Sequence, residues 1–146
     1  MKKTAKYMTI MVLFATAATL SVQAHCQIPC GIYDDQARIE MMEEHVTTIT
    51  KSMVQLEAGQ NANQTTRWVL NKEKHADEII EIACQYFLAQ RIKPGMDQYE
   101  ENLKTLHQII VYSMKSKQTT DVKNAEKLTE LIHNLEHSYF GEKHQH

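Results

Sequence analysis

The stretch His25-Cys26-Gln27-Ile28-Pro29-Cys30 sets one imidazole and two thiols within six residues, and three chemistries compete for it. The first is a Cys26 to Cys30 disulfide closing a small loop, the ordinary fate of two close cysteines in an oxidising compartment. The second is thiol exchange, against which stand a spacing one residue longer than C-x-x-C and the lack of a βαβ context. The third is metal binding. Cleavage after Ala24 would leave a free α-amine on His25, with an unperturbed pKa of about 8. That amine, the Cys26 backbone nitrogen and the two thiolates would then make a planar set of four donors. Planar nitrogen and sulfur donation suits nickel(II) or copper(II), whereas zinc takes a tetrahedron. The His25 imidazole could cap the plane as a fifth ligand. Pro29 restricts the backbone before Cys30, and Gly31 permits an unusual turn after it.

Whether that amine exists depends on processing. Residues 1–24 carry Lys2, Lys3 and Lys6, an apolar run from Tyr7 to Leu20, and Val22-Gln23-Ala24 at the end, the layout of a secretory signal peptide. The run falls short of the roughly 20 apolar residues of a membrane span, so an uncleaved anchor is the lesser alternative and no stable anchor is expected after cleavage. Lipoprotein processing would cut before Cys26 but wants a small residue where His25 stands. Cleavage after Ala24 leaves 122 of the 146 residues, one domain's worth of chain, with an export address, most simply the periplasm. The leader takes three of the sixteen basic residues and no acids, leaving thirteen against eighteen, a formal charge of −5. Nucleic acid is therefore not expected as a partner, since phosphate binding needs a basic face. An odd count of cysteines, Cys26, Cys30 and Cys84, calls for a free thiol, an intermolecular bridge or a metal site.

The hook needs a scaffold, and the rest of the chain supplies one. The four glycines and two prolines fall at Pro29 and Gly31, Gly59, Pro94-Gly95 and Gly141, marking boundaries between long uninterrupted segments. Ile39, Met42, Val46, Ile49, Met53 and Leu56 recur three and four apart between Asp34 and Leu56, a core-facing helical stripe with Asp34 or Asp35 to cap it. A second segment, about Asn63 to Ile92, aligns Trp68, His75, Ile79, Ile82 and Tyr86, with Lys72 interrupting the row. The third aligns Tyr99, Leu103, Leu106, Ile110 and Met114. The fourth, opened by Thr120-Asp121 and ended by Gly141, aligns Ala125, Leu128, Ile132, Leu135 and Tyr139. No run alternates with period two. The pattern predicts an all-α fold, an antiparallel four-helix bundle over 34–141, with an irregular hook at 25–33 and a disordered tail at 142–146. Cys84 is expected as a small buried hydrophobe. His107, His133 and His137 show no partner spacing, and His144 and His146 fall in the tail.

The motif His25-Cys26-Gln27-Ile28-Pro29-Cys30-Gly31-Ile32-Tyr33, followed by Asp34 and Ala37-Arg38-Ile39-Glu40, closely resembles the nickel superoxide dismutase family. The resemblance implies a four-helix bundle, assembled as a homohexamer, with one nickel ion per subunit held in an N-terminal hook. The ligands would be the amine, backbone nitrogen and thiolate supplied by His25 and Cys26, and the Cys30 thiolate, with the His25 imidazole axial. The activity implied is disproportionation of superoxide to oxygen and hydrogen peroxide, nickel alternating between Ni(II) and Ni(III). Tyr33 corresponds to a catalytic tyrosine beside the vacant face of the metal. Glu40 corresponds to a glutamate that hydrogen-bonds the axial imidazole, His75 stands where an arginine partners that imidazole, and Tyr86 corresponds to a tyrosine near the active site. Read without the resemblance, Glu40 is an exposed helix acid, and His75 and Tyr86 are core residues. Gln27 stands where aspartate is common, and the link from Tyr33 to Arg38 is one residue shorter. The competing reading is an exported metal-binding or metal-delivery bundle without turnover.

Overall fold

The structure, a computed structural model, describes residues 34–141; the leader, the hook residues His25, Cys26, Cys30 and Tyr33, and the tail lie outside them. Helix α1, Asp35–Glu57, starts where the Asp34 side chain accepts a hydrogen bond from the Ala37 amide at 3.2 Å, satisfying a donor the first turn leaves free. Its stripe is the one expected: Ile39, Met42, Val46, Ile49 and Met53 are buried, with Leu56 half-buried. Helix α2, Ala62–Glu81, is capped by Asn61. It runs directly into a ten-residue π-helix, Ile82–Arg91, which ends in extended backbone at Ile92, ahead of Pro94. Helix α3 is Tyr99–Gln118. Helix α4, Val122–Phe140, is capped by Asp121 and closed by Gly141 at φ 74°, whose amide donates to the His137 carbonyl at 3.0 Å.

Each helix packs on its sequence neighbour, and α1 also packs on α4. With short connections between successive helices, this makes a ring of four running alternately up and down, and no strand occurs among the described residues. The core is shared between Ile39, Met42, Val46, Ile49 and Met53 of α1, Ile79, Ile82, Ala83 and Phe87 along α2 and the π segment, Leu106 and Ile109 of α3, and Leu128, Ile132 and Leu135 of α4.

Two stripes differ from expectation. On α2, Trp68 and His75 are only half-buried, and Lys72 and Ala76 take the inward positions. Lys72 is 3% exposed; its Nζ donates to the Ser116 carbonyl at 2.6 Å and to the Lys117 carbonyl. A buried ammonium is tolerable because it meets the unpaired carbonyls at a helix C-terminus, where the dipole is negative. The residue that interrupts the apolar row thus ties α2 to the end of α3. On α3 the inward face is Asn102, Thr105, Leu106, Ile109, Ser113 and Ser116, while Leu103 and Ile110 flank it and Met114 is exposed. The Ser138 hydroxyl donates to Asn102 Oδ1 at 2.7 Å, giving the buried amide oxygen a partner from α4.

Candidate functional site

The described chain begins at Asp34, directly after the residues expected to form the hook. Asp35, two residues after Tyr33, carries a carboxylate on which three elements converge. Oδ1 accepts from the Tyr86 hydroxyl and from Arg91 Nε at 2.7 Å, with Arg91 Nη2 at 2.6 Å, and Oδ2 accepts from the Tyr139 hydroxyl at 2.8 Å. The first turn of α1 is thereby pinned to the π segment and to the last turn of α4. Burial acts to raise the Asp35 pKa, but the hydrogen bonds from Tyr86, Arg91 and Tyr139 outweigh it and hold the carboxyl below its ordinary value. Burial, with the bond to Asp35, pushes the Tyr139 hydroxyl up to about 12 and raises Tyr86 as well.

The π winding explains why Tyr86 and Arg91 act together. Five residues apart on an α-helix they would diverge by about 140°; with i to i+5 hydrogen bonding they come close to one face. The guanidinium of Arg91 lies 5.5 Å from the Tyr86 ring centroid and that of Arg38 lies 5.3 Å from it, cations over an electron-rich face. Beside this ring, Arg38 and Met41 of α1 with Glu78, Ile82 and Tyr86 opposite line a cleft of about 160 Å³.

One turn beyond Met41, in the same α1–α2 groove, His45 and His75 meet with their Nδ1 atoms 2.8 Å apart and ring planes inclined at 57°. That contact needs one Nδ1 protonated and the other bare. Burial, then the neighbouring His75, lowers the His45 pKa, and His45 Nε2 is buried without a hydrogen-bond partner.

Of the inferred residues, Tyr86 is fixed to Asp35, which follows Tyr33 by two residues in the chain. His75 is paired with His45, so its Nε2 is the ring atom left to reach another imidazole. Glu40 is exposed and makes no hydrogen bond or ion pair among the described residues; nothing joins it to His75. The four hook residues His25, Cys26, Cys30 and Tyr33 lie outside the described chain. Sequence reasoning missed Asp35, Arg91 and His45 as site elements, and took Tyr139 for core only. Cys84 is half-buried and forms no disulfide among the described residues, a partial departure from the buried hydrophobe expected. No helix among the described residues is long and apolar enough to cross a membrane.

The family model for nickel-containing superoxide dismutase matches residues 20–143 of the chain. Searches of curated proteins and of solved structures found no match.

Proposed function

The chain belongs to the nickel-containing superoxide dismutase family, oxidoreductases that carry nickel, and from that membership we propose that residues 25–33 form its metal-binding hook. The observation that carries this reading is that the family match begins ahead of His25 and runs through the whole described bundle. The donor set fits the ion: amine, amidate and two thiolates are the nitrogen and sulfur donors that planar nickel takes. The His25 amine and imidazole, the Cys26 nitrogen and thiolate and the Cys30 thiolate would hold one ion per subunit. Nickel bound there supplies the one-electron exchange by which two superoxide ions and two protons become oxygen and hydrogen peroxide.

The chain's own residues do the rest. Thiolates exposed to peroxide are open to oxidation, so the hook has to hold both sulfurs on the metal. The Tyr33 hydroxyl orders the incoming anion and restricts its approach. Glu40 accepts from the His25 imidazole and sets its orientation, and His75 takes the place of the arginine that the family sets beside that ring. The Asp35 clamp fixes the point where the hook leaves the bundle, so that small displacements of α1 do not reach the ligands. The leader directs export to the periplasm, its removal frees the amine ligand, and the subunits assemble as a homohexamer.

The test is to place one alanine before His25 in the otherwise natural exported chain, and separately to make Cys26→Ser and Cys30→Ser. Each should abolish superoxide consumption and lower nickel content while far-ultraviolet circular dichroism stays helical. Turnover retained in any of the three, or a natural chain that takes up nickel yet consumes no superoxide, would overturn the proposal.

A further inference from the structure

On the opposite side of α1 from the histidine pair, a second group of ligand-type side chains faces α4. His133 Nδ1 lies 3.7 Å from Glu43 Oε1 and 3.8 Å from Glu136 Oε2, and the three residues' ligand atoms lie within 4.8 Å of one another. These separations are too long for hydrogen bonds. They are close to the spacing of two ligands around one ion: bonds of about 2.1–2.2 Å opening at tetrahedral to trigonal angles put ligand atoms about 3.4–3.8 Å apart.

Two further observations distinguish the group from an ordinary surface cluster. Gln36 Nε2 donates to Glu136 Oε1 at 2.8 Å, fixing that carboxylate with its other oxygen toward His133, as outer hydrogen bonds fix metal-ligating carboxylates. The ion-pair partner these acids have is His133 itself, which carries a charge only when protonated. Among the described residues no lysine or arginine pairs with Glu43 or Glu136, and burial raises the Glu43 pKa, with Glu136 and Glu40 adding to it against the opposing effect of His133.

We propose that Glu43, His133 and Glu136 bind a divalent cation of the zinc type between α1 and α4. Two carboxylate oxygens and one imidazole make a borderline donor set, suited to zinc rather than to calcium or magnesium, which take oxygen alone. With three protein ligands the remaining position belongs to water. His133 and Glu136, three apart on α4, and Glu43 on α1 make the ion a staple between the two helices that frame the hook's exit. The site uses no residue of 25–33 and does not depend on the nickel reading.

Zinc is the probe, added to the full chain carrying Cys26→Ser and Cys30→Ser so that the hook thiolates do not compete. Calorimetric titration should show one more zinc bound, at least tenfold more tightly, than in the same chain with Glu43→Gln and His133→Asn added. Zinc should raise the melting temperature of the first chain and not of the second. In the first chain the His133 ring resonances should shift as zinc is added, a readout that requires no further substitution. Equal stoichiometry and affinity in the two chains, or His133 resonances unmoved at saturating zinc, would overturn the proposal and assign any binding to other histidines.

Discussion

Replacing Asp35 with alanine tests whether one carboxylate fastens the start of α1. The substitution removes the acceptor for the Tyr86 and Tyr139 hydroxyls and for Arg91. A hydrogen bond to a charged group contributes about 1.5–3 kcal/mol where it is well buried. Asp35 and Arg91 keep 18% and 29% of their side-chain surface, so water screens and partly replaces what is lost. Discounted in that way, the three partners together bring the expected cost to about 2–3 kcal/mol. At about 4 °C per kcal/mol for a bundle of this size, melting should fall by about 10 °C. Urea denaturation of Asp35→Ala, Tyr139→Phe and the double variant isolates the contact, because residues that share a hydrogen bond show non-additive losses. A coupling near 1 kcal/mol is expected between the pair. A loss below about 0.5 kcal/mol for Asp35→Ala, or additive losses in the cycle, would refute the clamp.

Lys72→Met should cost about 2–3 kcal/mol in urea denaturation, because two carbonyls at the end of α3 are left inside without a donor. His45 has its folded-state pKa depressed below 6.5, so its contribution is complete above pH 6.5 and lost as pH falls through the folded value. The urea midpoint of the natural chain should fall between pH 7.5 and 5.5, and His45→Gln should flatten that slope. Asp35 is also depressed, from 3.8, so its contribution is lost only in stronger acid, and Asp35→Asn should remove part of the acid limb below about pH 4. Tyr139 is raised from 10 to about 12; its contribution is present below pH 10 and lost above it, which Tyr139→Phe should show as a shallower alkaline unfolding curve. Chelating the nickel should abolish superoxide consumption and leave the helices folded by circular dichroism, because the buried faces of α1 and α4 are apolar apart from Ser52 and hold the bundle without the metal.

The sequence was readable where hydrophobicity alone decides which side of a helix faces inward. On α1 and α4 every inward position is apolar from Ile39 to Met53 and from Ala125 to Leu135, apart from Ser52, so a period of 3.6 recovers both faces. On α3 the inward face includes Asn102, Thr105, Ser113 and Ser116, and the apolar letters Leu103, Ile110 and Met114 lie to its side. Counting apolar residues therefore turned that helix by part of a turn. Lys72 shows the same limit from the other direction. Nothing in its neighbours along the chain reveals that an ammonium there will meet carbonyls 44 and 45 residues away.

The supports of the site were hidden for a geometric reason. An α-helical wheel separates Tyr86 from Arg91 and gives no cause to join either to Asp35, more than fifty residues earlier. Only the change to π winding at Ile82 turns both toward one carboxylate. A π segment is a costly departure from regular helix, and where such segments occur they are frequently at functional sites. Here its position has a specific consequence. The π-helix ends at Arg91, and the residue that Arg91 grips begins α1, so the irregular backbone is spent on fixing the first turn of α1, to which the proposed hook would be joined. The donor set proposed for the hook was legible only as an expectation, because His25, Cys26 and Cys30 fall within six positions of the chain. Its foundation was not, because those residues come from three helical elements and meet only after the bundle has closed.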